Sequence, residues 1–374
     1  MPVVGVIGAG QLARMMQPAA IALGIGIKVF GEAEGSSAHQ AVTKVGDYND
    51  FDQLVDFAKT VDVITFDHEH VPTDILERLT AAGHVVRPGP NALKHAQNKL
   101  TMRRKLTELG LPQPIWTAAK SEAEVAEFLT SHGPKIVVKT PIGGYDGKGV
   151  RVISSVSELS DWLENIDSFG GELLLEEKVD FVGELAQLCA RRPSGEFKAW
   201  PLVATFQEAG VCSEVVAPAP ALENHPKAEQ IARSIAEGLG VVGVMAVELF
   251  QSRNGEILVN ELAMRPHNSG HFSIDASVTS QFEQHLRAVL DLPLGETVST
   301  SKFAVMINLL GVDSENDFLR HYPKAMAQYP QVKFHLYEKQ PRKGRKMGHL
   351  TLQGDDLDEL LAAGRACREL LYNR

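Results

Sequence analysis

The sequence predicts an α/β region through about residue 95 and α+β regions beyond it. Three observations lead there. Short apolar, β-branched runs at Val3–Ile7, Ile27–Phe30, Val61–Phe66 and Val85–Val86 alternate with helical stretches, the pattern of a buried parallel sheet. Longer strands run from Val179 to about Leu292. Within them, two apolar runs flank Asn254-Gly255, a strong hairpin signal.

The elements follow in order. After the first strand comes Gly8-Ala-Gly10-Gln-Leu-Ala13, then Leu12, Met15, Met16, Ala19, Ala20 and Leu23 at helical spacing, with a kink expected near Pro18. Asn91–Leu109 reads as one helix, ended by Gly110-Leu-Pro-Gln-Pro. Ser121 and Glu124 form a capping box that opens a helix to about Ser131. Strand, glycine loop, strand, helix and strand fill Lys135 to Glu177. A second capping box, Ser280 with Glu283, opens a later helix. Strands near Phe303–Leu310, Val332–Tyr337 and His349–Leu352 precede a terminal helix with Leu357, Leu360, Leu361, Gly364 and Leu371 on one face.

The bulk properties narrow the function. A chain of 374 residues holds two or three domains. Its net charge of −10 argues against general nucleic-acid binding, which needs a basic surface. Basic clusters at Arg103–Lys105 and Lys339–Lys346 are candidates to hold a small anion. Cys189, Cys212 and Cys367 are odd in number and far apart, which excludes a disulfide framework and fits a reducing cytoplasm. The first residues lack the basic start and cleavage site of a signal peptide, and no apolar run is long enough for a membrane span.

Residues 143–149 read Gly-Gly-Tyr-Asp-Gly-Lys-Gly between two strand-like runs. Four glycines in seven positions leave many backbone N–H groups exposed, able to wrap an anion. Lys139 and Lys148 add positive charge. The spacing is not the Walker pattern, so this reads as a phosphate flap of another fold.

A two-residue turn at Asn254-Gly255 puts Arg253 opposite Glu256 and, by counting back, Glu248 opposite Glu261. Side chains so placed sit roughly 4.5–5.5 Å apart at Cβ. At an effective dielectric near 20, their charges repel by roughly 3 kcal/mol. A protonated carboxyl, an intervening lysine or a bridging divalent cation each relieves this. Mg²⁺, which combines one or two carboxylates with phosphates, suits a neighbouring phosphate flap. Asn260 falls on the other face unless the strand bulges or ends there. Arg265-Pro-His267-Asn268-Ser269-Gly-His271 follows as a dense polar loop, and Arg265 can grip a small planar anion.

Two other motifs compete. Gly8-x-Gly10-x-x-Ala13 with Glu32 fits a dinucleotide fingerprint, and so a dehydrogenase. His68-Glu69-His70 suggests zinc but lacks the helical spacing.

Taken together these motifs resemble the ATP-grasp superfamily, and closely the N5-carboxyaminoimidazole ribonucleotide synthetases. The resemblance covers nearly the whole chain: the Gly8 turn, the 143–149 loop, Asn260 through His271, and Arg345-Lys-Met-Gly-His349. It implies a Rossmann-like domain at 1–98, a flap subdomain at 99–177 and a C-terminal ATP-grasp domain at 178–374, in a cytoplasmic homodimer. It implies ATP bound by Lys99, Lys139, the loop Gly144, Tyr145, Asp146, Gly147, Lys148, Gly149 and Val150, the hinge Glu176, Glu177, Lys178 and Val179, Glu184, and Asn260 with Glu261. Glu248 and Glu261 would be the Mg²⁺ ligands. Arg265, His267, Asn268 and Ser269 would surround bicarbonate, with Asp146 as a proton acceptor. Gln11, Leu12, Glu69, Tyr145, Asp146, Lys343 and Arg345 would contact 5-aminoimidazole ribonucleotide. A sister enzyme, the formate-dependent glycinamide ribonucleotide transformylase, usually has Asp-Thr at Asn268-Ser269. Phe206, where many relatives have His, and Asp67, where many have Glu, depart from the pattern. A dehydrogenase and a non-catalytic nucleotide sensor stand as alternatives from other classes.

Overall fold

The structure is a computed structural model that describes residues 1–144, 149–208, 210–220, 225–312 and 318–373. Three sheets organise it. The first contains β1 (Val3–Ile7), β2 (Gly26–Gly31), β3 (Val42–Val45) and β4 (Val63–Phe66) in the order β3-β2-β1-β4, all parallel. Val86 adds a parallel bridge to Ile64. The short β3 strand has little apolar signal and escapes the sequence reading; only its edge position requires it.

The second sheet contains β5 (Trp116–Ala119), β6 (Ile136–Lys139), β7 (Val150–Ile153) and β8 (Leu173–Glu177) in the order β5-β8-β6-β7. Its β6 and β7 strands flank the glycine loop, of which residues 145–148 lie outside the described residues. The third sheet has nine strands: β9 (Phe181–Arg191), β10 (Phe197–Ala199), β11 (Val203–Glu208), β12 (Val211–Ala217), β13 (Gly243–Ser252), β14 (Ile257–Ala263), β15 (Phe303–Leu310), β16 (Lys333–Leu336) and β17 (Lys346–Gly354). The strand β14 lies at its edge, beside β13.

The first and third sheets are welded by helices. Phe282 and Leu286, on the helix Gln281–Val289, pack among Val4, Val6 and Met16 of the first domain. Full burial of such side chains stabilises by about 1.5–3 kcal/mol each. Within the same seam, buried His285 accepts from the Val244 N–H through Nδ1 at 3.0 Å, so its Nε2–H donates to Thr65 Oγ1 at 2.7 Å. Burial pushes this imidazole down to about 3, so it is neutral at pH 7.

Two sequence expectations need correction here. The span Asn91–Leu109 is two helices, Pro90–Gln97 and Lys99–Glu108, because Asn98 takes extended backbone and caps the second with its side chain, accepting from Thr101 N–H at 3.0 Å. The Ser280 box is half formed: Ser280 caps the Glu283 N–H, but the Glu283 carboxylate turns to Arg287 one helical turn on. The Ser121 box is complete.

Candidate active site

The hairpin that carries the carboxylate pair is built differently from its expected form and reaches the same result. The turn is a three-residue loop closed by Ser252 N–H on Glu256 O at 2.9 Å, with Gly255 at φ 82°. Such a loop demands a left-handed residue at its third position, which glycine supplies. This shifts the pairing by one residue from the two-residue turn expected. A β-bulge then shifts it back: Leu249 faces Val259, whereas Glu248 faces Glu261, leaving Asn260 as the extra residue. Asn260 is therefore free to serve the same site, and its Oδ1 accepts from Lys139 Nζ at 3.0 Å.

Neither carboxylate is left bare. Lys99, at the start of its helix, pairs with Glu261, and His267 Nε2 lies 3.2 Å from Glu248 Oε1. Burial pulls the Glu248 carboxyl up, but the His267 hydrogen bond and charge outweigh it and hold Glu248 below its ordinary value. Among the described residues Glu184 has no such partner: burial first, then the Glu248 charge, raises it. Glu176 is buried and bridges Arg103 at 2.6 Å and Lys139 at 2.8 Å. Burial opposes its charge, yet these two cations keep it ionised.

Two cavities converge on the pair. The smaller, about 440 Å³, is lined by Lys139, Val150, Glu176, Glu177, Lys178, Val179, Glu184 and Asn260, residues that the resemblance implied for ATP, and by Ser269, which it implied for bicarbonate. The larger, about 900 Å³, is lined by Gln11, Leu12, Glu69, Gly144 and Arg265. Lys99, Glu248, Glu261, His267, Asn268 and Lys346 line both.

The polar loop after β14 is anchored from below. Gln281 accepts from the His267 N–H and donates to the His267 carbonyl, both at 2.8 Å. Asn268 exchanges two hydrogen bonds with Asn308, at 3.0 and 2.7 Å. His267 Nδ1 meets Ser269 Oγ at 2.9 Å, so its Nε2 is aimed at Glu248. Arg265 is oriented by Glu69, with Nε 3.3 Å from the carboxylate, and its guanidinium reaches the larger cavity.

Some predicted residues are not brought together. Lys343 is exposed, and Arg345 donates to the Gln340 carbonyl at 3.1 Å; neither lines either cavity. Lys339 and Lys346, two members of the same basic run, do. Residue type and charge identified the run, but not which side chains a turn with Gly344 at φ 75° directs inward. The Arg103–Lys105 cluster is no anion site: Arg103 is buried, Arg104 pairs with Glu172, and Lys105 pairs with Glu108. Phe206 is exposed and its neighbours Thr205 and Gln207 line the smaller cavity instead. Tyr145, Asp146, Gly147 and Lys148 lie outside the described residues.

The donor set suits a hard divalent cation. It offers facing carboxylate oxygens, open to a cavity on the nucleotide side, with a lysine and an imidazole now balancing their charge. Among the described residues no group of three or more His, Cys, Asp or Glu could hold an ion alone, so further ligands would come from phosphate and water. The His68 and His70 rings stack on one another at 4.9 Å, and His68 Nε2 meets Glu32 at 2.6 Å.

Comparison with known proteins places this geometry. A family model for the ATP-grasp domain matches residues 104–282, one for the ribonucleotide synthetase preATP-grasp domain matches 1–97, and one for the phosphoribosylaminoimidazole carboxylase C-terminal domain matches 304–363. The fold and site are those of an ATP-grasp ligase. The N5-carboxyaminoimidazole ribonucleotide synthase of Corynebacterium ammoniagenes is 45% identical over 100% of this chain and 92% of its own length. A crystal structure of the ADP complex of an N5-carboxyaminoimidazole ribonucleotide synthetase matches with a TM-score of 0.89 at 32% identity, over 100% of this chain and 97% of that one. The Aspergillus clavatus enzyme, solved with ADP and 5-aminoimidazole ribonucleotide, matches with a TM-score of 0.89 at 29% identity, over 100% and 99%. The chain belongs to the N5-carboxyaminoimidazole ribonucleotide synthase family.

Proposed function

We propose that the protein carboxylates 5-aminoimidazole ribonucleotide to N5-carboxyaminoimidazole ribonucleotide, consuming ATP and bicarbonate, in purine biosynthesis. The observation that carries this is the junction of two cavities at Glu248 and Glu261. ATP would occupy the smaller cavity and the ribonucleotide the larger, with bicarbonate between them. Relatives solved with ADP, and in one case with the ribonucleotide, support the pairing.

Lys99 and Lys139 would hold the nucleotide phosphates, and the 143–149 loop would close over them to exclude water. Glu248 and Glu261 would hold Mg²⁺, which when bound would supply positive charge to offset that developing on the transferring phosphoryl group. Arg265, oriented by Glu69, would present bicarbonate so that its oxygen attacks the γ-phosphorus and ADP leaves. The ribonucleotide amine would then attack the carboxyl carbon of carboxyphosphate, expelling phosphate, while its proton passes to a base for which Asp146 is the candidate. Lys339 and Lys346 would take over the phosphate-holding role first given to Lys343 and Arg345. The divisions at 98 and 177, a homodimer and a cytoplasmic location belong to the same reading. The three separate sheets support the divisions. Among the described residues no helix is long and apolar enough to cross a membrane.

The test is ADP release with each small substrate omitted in turn. Release should require 5-aminoimidazole ribonucleotide and respond to bicarbonate. Release supported by formate plus glycinamide ribonucleotide would move the protein to the sister activity.

A further inference from the structure

We infer that Arg103, which lines neither cavity, is the positioning residue that holds the bulge at Asn260 and so fixes where Glu261 stands. This rests on the reading of Glu248 and Glu261 as metal ligands.

A β-bulge leaves one residue without a cross-strand partner, and β14 is an edge strand besides. The carbonyls of Val259 and Asn260 thus need partners outside the sheet. The fully buried Arg103 guanidinium supplies both: Nη1 donates to Val259 O at 2.8 Å and Nη2 to Asn260 O at 2.9 Å. Its Nε donates to Glu176 Oε1 at 2.6 Å. The other Glu176 oxygen holds Lys139 at 2.8 Å, and Lys139 returns to the Asn260 side chain at 3.0 Å. The ring Arg103–Glu176–Lys139–Asn260 is closed.

One helical turn before Arg103, Lys99 meets Glu261. A single helix face therefore fixes three consecutive residues of β14, at 259, 260 and 261. The clamp also starts from Glu176, the last but one residue of β8, where the hinge into the nucleotide cavity begins. Without it the bulge can migrate, and a one-residue slip turns a side chain to the opposite face. The Glu261 carboxylate would then leave the junction of the cavities. The planar fork of arginine, with three N–H groups on three acceptors, suits this task better than a point charge.

The test titrates Mn²⁺ into the full-length protein with saturating ADP and reads the free ion by electron paramagnetic resonance. R103M should weaken Mn²⁺ binding at least tenfold and lower kcat, while the KM for 5-aminoimidazole ribonucleotide stays within threefold. R103K should recover part of the Mn²⁺ affinity, because an ammonium can still reach Glu176 and one carbonyl. If R103M does not fold, R103Q is carried through the same titration with the same expectation. A folded R103M or R103Q with wild-type Mn²⁺ affinity overturns the proposal, whatever its melting temperature. E261Q separates the two claims. Wild-type Mn²⁺ affinity in E261Q removes the metal reading itself, whereas loss in E261Q with retention in the Arg103 variant removes only the role given to Arg103.

Discussion

The N-terminal glycine turn and the β13–β14 hairpin each present a candidate ligand site in sequence, the one for an anion and the other for a cation, and the structure treats them in opposite ways. At the turn, the helix N-terminus that would receive a dinucleotide pyrophosphate is already taken. Asp67 Oδ1 accepts from the Ala13 N–H at 2.7 Å, and Gly10 is needed because a Cβ there would collide with that carboxylate. Glu32, the residue that would hold a ribose, is bound to His68 at 2.6 Å and to the Ala9 N–H at 3.3 Å. A dinucleotide would have to displace the chain's own carboxylate. At the hairpin, by contrast, the carboxylates face a cavity, and their partners Lys99 and His267 are themselves cavity groups. A motif shows which chemistry a segment permits; what occupies its donors shows which chemistry remains open.

The sharpest way to break this contrast is to remove charge at both places. E248Q and E261Q should each lower kcat by at least a thousandfold with the fold retained by circular dichroism, since a lost ligand misplaces metal and phosphate. E32Q should stay within about tenfold of wild type, because it loosens only an internal hydrogen bond worth about 1.5–3 kcal/mol. Near-normal turnover of either hairpin variant at ordinary Mg²⁺ would undo the assignment.

The second test concerns the loop. Gly143 and Gly149 bracket it at φ 76° and 72°, and a Cβ at Gly149 would collide with Thr140 Oγ1. G149V should reduce turnover about a hundredfold while the melting temperature falls only modestly, since the Thr140 hydroxyl must give way. A fall in melting temperature matching the activity loss would mark it as a structural turn.

Third, K339A and K346A should each raise the KM for the ribonucleotide at least tenfold and leave that for ATP less affected. K343A should change neither by more than twofold. Steady-state kinetics decides this, and the reverse order would restore the sequence-based choice.

A smaller effect reads the seam between domains. His285 is neutral when folded, its value about 3, whereas an unfolded histidine titrates near 6.5. The unfolded state therefore binds the proton first. Stability is complete above about pH 6.5 and falls by about 1.4 kcal/mol per unit below it. Burial likewise pushes His271 and His349 well below their ordinary value, which steepens the loss. Chemical denaturation at pH 7.5 and 5.5 should show the drop; equal stability at both would mean that the seam rearranges on protonation.

Much of this was legible in the sequence because the relevant signals are local. Apolar periodicity gave β1, β2 and β15, and the Ser121 box gave its helix. The facing of Glu248 and Glu261 was also reached, but through two compensating departures: a longer turn and a bulge. The bulge depends on Arg103 and Lys139, which arrive from other elements, and no window around Asn260 contains them. The break at Asn98 was legible in principle, since Asn is a strong N-cap; an unbroken apolar pattern concealed it. Lys339 and Lys346 could not be separated from Lys343 and Arg345 by charge alone.

The most direct test follows an oxygen. In a single turnover with ¹⁸O-bicarbonate, ATP and 5-aminoimidazole ribonucleotide, released phosphate should carry one labelled oxygen, because bicarbonate oxygen is the phosphoryl acceptor. Product formed with unlabelled phosphate would contradict phosphoryl transfer to bicarbonate at the junction of the two cavities.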